Sequence, residues 1–433
     1  MKIAILGGGV AGVVAARVLA RNGIEAHILE RNDRLGGLHH SPTFNGVAYD
    51  IGTFVFQKRH QLIRLFPELE SVLVPVPSQF VSLTNKGSID AYPLSLRGYV
   101  SDNGFMNFSY ALSNVLVSKA LHFRKSNVPS FIKYYIGSDI YKRSGLRKYI
   151  ERLYDIPDEE IDLEFARKRL ELISRWGSIR KNLHRLAKRK PSPLTGAPYL
   201  GKTDFVRPKD GFTPMYAALQ EAITKDGAKV FLGTQLKSIQ KQEDRFEIES
   251  NLGSEHYDAV LSTIPITALY ELLGLEQPTA FESRSLLSLF YKTRLSLSRD
   301  ATVVHNFSQT GDWKRITVFS AYYGPHEGSD YFGCEITVDS NQDIDVGAYR
   351  ARFEKHLDEL GITNNLSFEG SALTRNAYPI YRRTTFDEIQ KQKLFVEENG
   401  IRLVGRQGEF DYISSSDTAL KASNIANELA SRG

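Results

Sequence analysis

The chain begins with an apolar run, Lys2-Ile3-Ala4-Ile5-Leu6, that breaks at Gly7-Gly8-Gly9-Val10-Ala11-Gly12 and continues as a helical pattern from Val13 to Asn22. A strand, a glycine turn and a helix in that order restrict the fold more than any other feature here. Gly7 permits the tight turn, Gly9 lets the backbone approach a pyrophosphate, and Gly12 lets helix and strand pack closely. Around Val10 and Ala11 the free N–H groups of a helix N-terminus would face the phosphates, where the helix dipole favours negative charge. A second apolar run, Glu25-Ala26-His27-Ile28-Leu29, ends in Glu30, at the position where an acid binds adenosine ribose hydroxyls. Arg31 and then Leu35-Gly36-Gly37-Leu38 follow, and the trailing Gly-Gly selects FAD among dinucleotides. Met1-Lys2 and the apolar residues after it superficially resemble a secretory signal. Phosphate-loop spacing of the glycines, with Arg17, Arg21 and Glu30 close behind, argues against that reading and against a membrane span.

At 433 residues the chain is long for one core, so two or three structural units are expected. Its single cysteine, Cys334, excludes internal disulfides and thiolate clusters and fits a reducing, cytoplasmic compartment. The net charge of +5 is unevenly spread. Between residues 117 and 190 the cations outnumber the acids, with Arg167-Lys168-Arg169 and Lys188-Arg189-Lys190 as runs. Solvated helix faces, an anionic substrate and peripheral contact with an anionic membrane all fit this bias. Nucleic acid does not, because no binding motif accompanies the charge. A homo-oligomer is compatible with the sequence.

Periodicity divides the chain further. Phe44-Asn45-Gly46-Val47 through Gly52 reads as a strand with an Asn-Gly turn. Short β-type runs, Val72–Val76 and Phe80–Leu83, suggest hairpins, and residues 105–190 read as mostly helical with Pro129 and Pro157 as breakers. Past a loop rich in Pro, Gly and Lys, a helix is expected over Pro214–Lys225 and strands over Ala228–Leu232, Arg245–Glu249 and Tyr257–Pro265. Alternating segments such as Thr302–Phe307 and Arg315–Tyr322 predict a largely antiparallel sheet, and a strand at Ile401–Arg406 precedes a last helix, Asp417–Leu429. The expected fold class is α/β: a discontinuous Rossmann-like FAD-binding domain (1–75, 205–275, 398–433), a helical insertion (95–204) and an antiparallel sheet substrate domain (76–94, 276–397).

This order of segments resembles the flavin amine-oxidase-like superfamily, and within it the second half is similar to the UDP-galactopyranose mutase family. The likeness rests on Gly311-Asp312-Trp313-Lys314-Arg315-Ile316-Thr317, Arg284-Ser285-Leu286, Tyr378-Pro379-Ile380 and Gly405-Arg406-Gln407-Gly408-Glu409-Phe410-Asp411-Tyr412. It implies that Arg315, Tyr378 and Tyr412 bind a substrate diphosphate and that Arg406 covers the flavin. It also implies that Arg284 lies at the substrate and that Tyr154 meets the nucleotide base. The family's mobile-loop arginine has no clean counterpart, Arg175 beside Trp176 being the best candidate with Arg169 behind it. The implied activity is an isomerisation of a nucleoside-diphosphate sugar between pyranose and furanose forms, with N5 of reduced FAD as the nucleophile and no assigned catalytic side chain. An FAD-dependent oxidoreductase of the amine oxidase or desaturase type is the alternative.

Three positions depart from the mutase pattern. Thr53 follows Gly52 where that family carries a histidine, Tyr154 replaces its tryptophan, and Ser414 replaces its acid. The residue chemistry stands beside the resemblance: arginine forks match phosphate oxygens, and tyrosine hydroxyls add neutral donors. The pair His39-His40 lies near the flavin by sequence position, and no metal-ligand spacing accompanies it.

Overall fold

In the computed structural model residues 1–93, 96–169, 203–293, 301–363 and 365–432 are described. A five-stranded, all-parallel sheet runs in the order Ile401–Leu403, Ala259–Ser262, Lys2–Leu6, Glu25–Leu29, Lys229–Phe231. Its members come from three distant parts of the chain, as a discontinuous α/β unit requires. The helix Val10–Arg21 packs on this sheet and against the closing helix Ser415–Ala430 through small residues, Ala15 and Ala16 on one side and Ala419, Ala422 and Ala426 on the other. The first helix begins at Val10, three residues earlier than its apolar periodicity suggests, because Gly9 is already its N-cap.

A seven-stranded sheet forms the second layer, in the order Leu366–Pro379, Ser283–Thr293, Asp330–Asp339, Trp313–Val318, Val303–Asn306, Phe80–Leu83, Ile89–Ala91. Every pairing in it is antiparallel except Val303–Asn306 with Phe80–Leu83. The expected strand Arg315–Tyr322 stops at Val318 and turns into the short helix Ser320–Tyr323. The run Val72–Val76 does not form a hairpin with Phe80–Leu83. Val74–Pro77 pairs instead with Thr203–Val206, far along the chain. Between these strands lie helices Leu96–Asn103, Phe105–Leu121, Val128–Ile136, Ser138–Arg143, Leu146–Tyr154 and Leu163–Arg169. Val128–Ile136 starts in a reciprocal capping box, in which Asn127 accepts from the Ser130 backbone and the Ser130 hydroxyl accepts from that of Asn127.

The two faces of the large sheet differ. One is an apolar core: Leu287, Leu289, Ile336, Val338, Cys334 and Trp313 pack with Phe353 and Leu357 of the helix Val346–Glu359. The other is also buried but carries Arg284, Ser288, Lys314, Thr317, Glu335 and Thr337. Buried polar groups are costly unless partnered, so this face singles itself out.

Candidate functional site

The glycine loop shows why its residues are glycines. A Cβ at Gly12 would lie 2.0 Å from the Gly7 carbonyl oxygen, so only glycine lets this helix sit on this strand. Gly7 has φ +96°, the left-handed region that a side chain resists. At Gly9 the nearest atom to an added Cβ is the Gly37 Cα at 3.8 Å, and Gly36 donates its N–H to the Gly8 carbonyl at 3.0 Å. The two glycine pieces therefore line one groove. No side chain caps the helix at Gly9, which leaves the first N–H groups around Val10 and Ala11 to an incoming anion. Glu30 is buried at the end of its strand and accepts from the Gly8 N–H at 2.7 Å and from Asn32. A carboxylate has about four acceptor positions, so ribose hydroxyls can still be bound. Arg31 is exposed beside it, and Leu38 is half-buried next to Gly37. These residues fit an FAD: a narrow glycine groove, an uncapped helix end and a buried acid at the strand terminus.

The C-terminal segment returns to this loop. Gly405, with φ +92°, lies so close that a Cβ there would be 3.2 Å from the Ala11 Cβ, and one at Gly408 would be 2.7 Å from the Ser262 carbonyl oxygen. That contact seats Arg406 beside the loop. Its guanidinium donates to the Ile413 carbonyl at 2.9 Å and stands 5.1 Å from the Tyr412 ring and 5.9 Å from the Tyr378 ring. Tyr381 fixes this turn, donating to the Phe410 carbonyl and Asp411 and accepting from the Tyr412 N–H at 2.9 Å.

On the polar face of the sheet a β-bulge decides the chemistry. Trp313 pairs with Ile336 and Arg315 with Glu335, so Lys314 is the extra residue on its strand. Lys314 and Arg315 thereby both reach Glu335, while Trp313 turns to the apolar side and donates to His356 at 2.9 Å. Arg315 forks onto both carboxylate oxygens, with Nη2 to Oε2 at 2.8 Å. Lys314 is fully buried, 3.4 Å from Glu335, with its ammonium 3.9 Å above the Tyr378 ring. Burial would raise the Glu335 pKa, but the charges of Arg315 and Lys314 prevail and hold it at about 2. Thr53, the residue in place of the family's histidine, donates to Glu335 at 3.0 Å and lies 2.5 Å from the Thr317 hydroxyl.

Of the residues expected from the sequence, Arg315, Tyr378, Tyr412 and Arg406 thus form one connected group. Tyr378 and Tyr412 are buried, with ring centroids 5.5 Å apart. Arg284 neighbours Tyr378 in register, donates to Glu282 at 3.0 Å, and its Nε finds no acceptor among the described residues. Tyr154 is fully buried, its ring 4.9 Å from Phe165 and 5.9 Å from Tyr412, so its faces meet protein. Ser414, where the family has an acid, caps the last helix by accepting from the Asp417 N–H at 3.1 Å. Arg175 lies outside the described residues, as does the side chain of Arg169. Among the described residues no group of His, Cys, Asp and Glu could hold a metal. His39 lies in an aromatic box, stacked on Phe212 at 4.7 Å and bonded to the Tyr216 hydroxyl at 2.9 Å, where burial pushes its pKa down to about 3 and keeps it neutral.

Sequence reasoning named neither Lys314 nor Glu335. The Lys-Arg dipeptide was the available signal, but in a regular strand its two side chains would point to opposite faces.

Comparison with known proteins places these features. A reduced UDP-galactopyranose mutase structure superposes with a TM-score of 0.77 at 18% identity, covering 100% of this chain and 94% of that one. A putrescine oxidase variant gives 0.63 at 12% identity, covering 100% and 99%. Likeness at this identity shows the fold. A 1-hydroxycarotenoid 3,4-desaturase from Flavobacterium sp. is 36% identical over 72 residues, 16% of this chain, and the match spans only 15% of the desaturase. An uncharacterised protein from Methanothermococcus thermolithotrophicus is 40% identical over 52 residues, 12% of this chain and half of that protein. No helix among the described residues is long and apolar enough to cross a membrane. The flavin containing amine oxidoreductase profile matches residues 10–331, most of the length, and the chain belongs to that family of flavin-binding proteins.

Proposed function

We propose that the protein interconverts the pyranose and furanose forms of a nucleoside-diphosphate sugar with FAD bound in its reduced state. The observation that supports this reading is the charge balance of the buried site. Lys314 and Arg315 share one carboxylate, Glu335, so this pair of cations carries one positive charge more than the acid they meet. A dianionic diphosphate satisfies that surplus, whereas a protonated amine would be repelled by it. An apolar desaturase substrate would leave that excess positive charge uncompensated.

In this reading Glu335 orients the Arg315 guanidinium, and the Tyr378 and Tyr412 hydroxyls donate to phosphate oxygens. The glycine groove and Glu30 hold the pyrophosphate and ribose of FAD. Reduced flavin, when bound, supplies a nucleophilic nitrogen toward the anomeric carbon, so no protein nucleophile is required.

The test is a panel of nucleotide sugars incubated with dithionite-reduced protein, with pyranose and furanose products separated by chromatography. Interconversion by the reduced protein and none by the oxidised protein is expected. Oxygen-consuming turnover of an amine, with no ring isomer from any nucleotide sugar, would overturn the proposal in favour of an oxidase.

A further inference from the structure

The helix Phe105–Leu121 is built inside out. It buries Ala111, Val115 and Ser118, two small residues and a valine, and exposes its large apolar side chains. Phe105 is 71% exposed, Met106 87%, Leu116 66% and Leu121 74%, with Tyr110, Leu112 and Val117 also above half. Placed at about 100° per residue, these seven fall on one continuous arc of about 180°. The other residues on that arc are Ser109, Ser113 and Ala120. Both serine hydroxyls fold back onto the helix, Ser109 to the Phe105 carbonyl at 3.2 Å and Ser113 to that of Tyr110 at 2.8 Å. No charged side chain stands on the exposed arc, and the one side-chain polar group on it not turned back onto the helix is the Tyr110 hydroxyl, which suits an interface. A solvated surface helix has the opposite pattern.

Charge indicates what covers it. From Asn103 to Ser138 there is no Asp or Glu, while Lys119, Arg124, Lys125 and Lys133 are present. Asp139, the acid that ends this stretch, is engaged by the Tyr99 hydroxyl and by Arg143 at 2.9 Å. At the C-terminal end of the helix Lys119 lies at the edge of the apolar arc, Phe123 is exposed, and Arg124 extends into solvent. Lys125 is held over the Tyr134 ring at 4.3 Å. An apolar face with a cationic edge and no acids matches an interface rich in anionic headgroups over acyl chains. A second copy of this chain fits less well, because the same helix on the partner carries no Asp or Glu to meet that cationic edge.

We propose that the Phe105–Leu121 helix and the cations at its C-terminal end dock the protein onto an anionic lipid bilayer, with the helix lying in the interface plane. The helix need not span the bilayer, and binding is reversible and salt-sensitive.

The experiment is flotation of the full-length flavoprotein with phosphatidylcholine vesicles, with and without phosphatidylglycerol. Binding to the anionic vesicles, weakened by added salt, is expected. Leu116→Glu with Leu121→Glu should reduce it more than about tenfold, since the buried apolar area supplies most of the affinity. Lys119→Glu with Arg124→Glu should reduce it by roughly fivefold or more for each cation removed. All four positions are exposed or at the edge, so circular dichroism and bound flavin should be unchanged. Failure to float with anionic vesicles, equal binding to phosphatidylcholine alone, or undiminished binding by the leucine variant would overturn the proposal. So would a concentration-dependent dimer that the leucine variant abolishes in protein showing no vesicle binding.

Discussion

Two arginine–carboxylate pairs among the described residues, Arg207 with Asp50 and Arg315 with Glu335, are built differently. Arg207 is fully buried and every arm of its fork is used: Nε on Asp50 at 2.7 Å, Nη1 on the Pro208 and Lys209 carbonyls, and Nη2 on the Ala48 carbonyl at 2.7 Å. Asp50 also accepts from Ser41 at 2.6 Å, so the pair is one cation and one anion with its hydrogen bonds completed by neutral groups. Around Glu335 the count is uneven, with Arg315 and Lys314 on one carboxylate. A closed pair ties the 48–50 segment to the chain at 207–209, and in the proposed function the unbalanced one receives an anion. Charge surplus, more than burial itself, separates a structural ion pair from a binding site.

The largest effect should come from opening the closed pair. Arg207→Ala leaves Asp50 buried without its cation and should cost about 3–5 kcal/mol of stability. Urea unfolding would measure it, and a loss near zero would mean that Asp50 is neutral or solvated and the distinction fails. Next in size, Arg315→Ala should weaken nucleotide-sugar binding by roughly 2–5 kcal/mol while FAD stays bound. Calorimetry with a nucleotide sugar on the flavin-loaded variant tests it. Unchanged affinity would remove the main reason for reading the site as a diphosphate clamp.

Acid should act on the unbalanced cluster. The folded-state pKa of Glu335 is held at about 2, below the ordinary 4.5. A depressed carboxylate stabilises the fold fully above its unfolded pKa and loses that contribution as pH falls from about 4.5 toward 2. The contribution is on the order of 3 kcal/mol at neutral pH, set against the cost of burying the group. Unfolding of wild type and Glu335→Gln, compared between pH 7 and pH 3, should show the wild type losing more stability over this interval. Parallel losses would mean that Glu335 does not carry this charge.

How much of this was legible follows from the range of each interaction. The cofactor loop was readable because its determinants lie within some thirty residues: Gly7, Gly12, Glu30 and Gly37 are set by one strand, one turn and one helix. The glycine roles are steric and local, and the structure repeats them down to the contact of Gly12 with Gly7. The pairing of Val74–Pro77 with Thr203–Val206 was not readable, because both runs are short and nothing in either specifies its partner. Lys314 was missed for the same reason, since a bulge is a property of two strands together. The family resemblance brought Arg315, Tyr378, Arg406 and Tyr412 to notice as separate segments, and the fold joins them. It gave no hint of Glu335, the residue that decides how their charge is balanced.

The smallest expected effect concerns Thr53, and it sharpens the comparison most finely. Its hydroxyl stands between Thr317 at 2.5 Å and Glu335 at 3.0 Å, so it gives the carboxylate one neutral donor beside two cations. Removing a hydrogen bond to a charged group costs about 1.5–3 kcal/mol, and less where the remaining partners can tighten. Because Arg315 and Lys314 still hold Glu335, Thr53→Ala should fall below that range, at about 1 kcal/mol by urea unfolding. The Glu335 pKa should rise slightly, moving the acid loss of stability to higher pH. In Ser41→Ala, by contrast, Asp50 loses its one hydroxyl donor among the described residues, in a pair with no second cation there, and the loss should be greater. If Thr53→Ala proves the more costly, the hydroxyl and not the second cation is completing the Glu335 site, and the surplus charge assigned to it would have to be reduced.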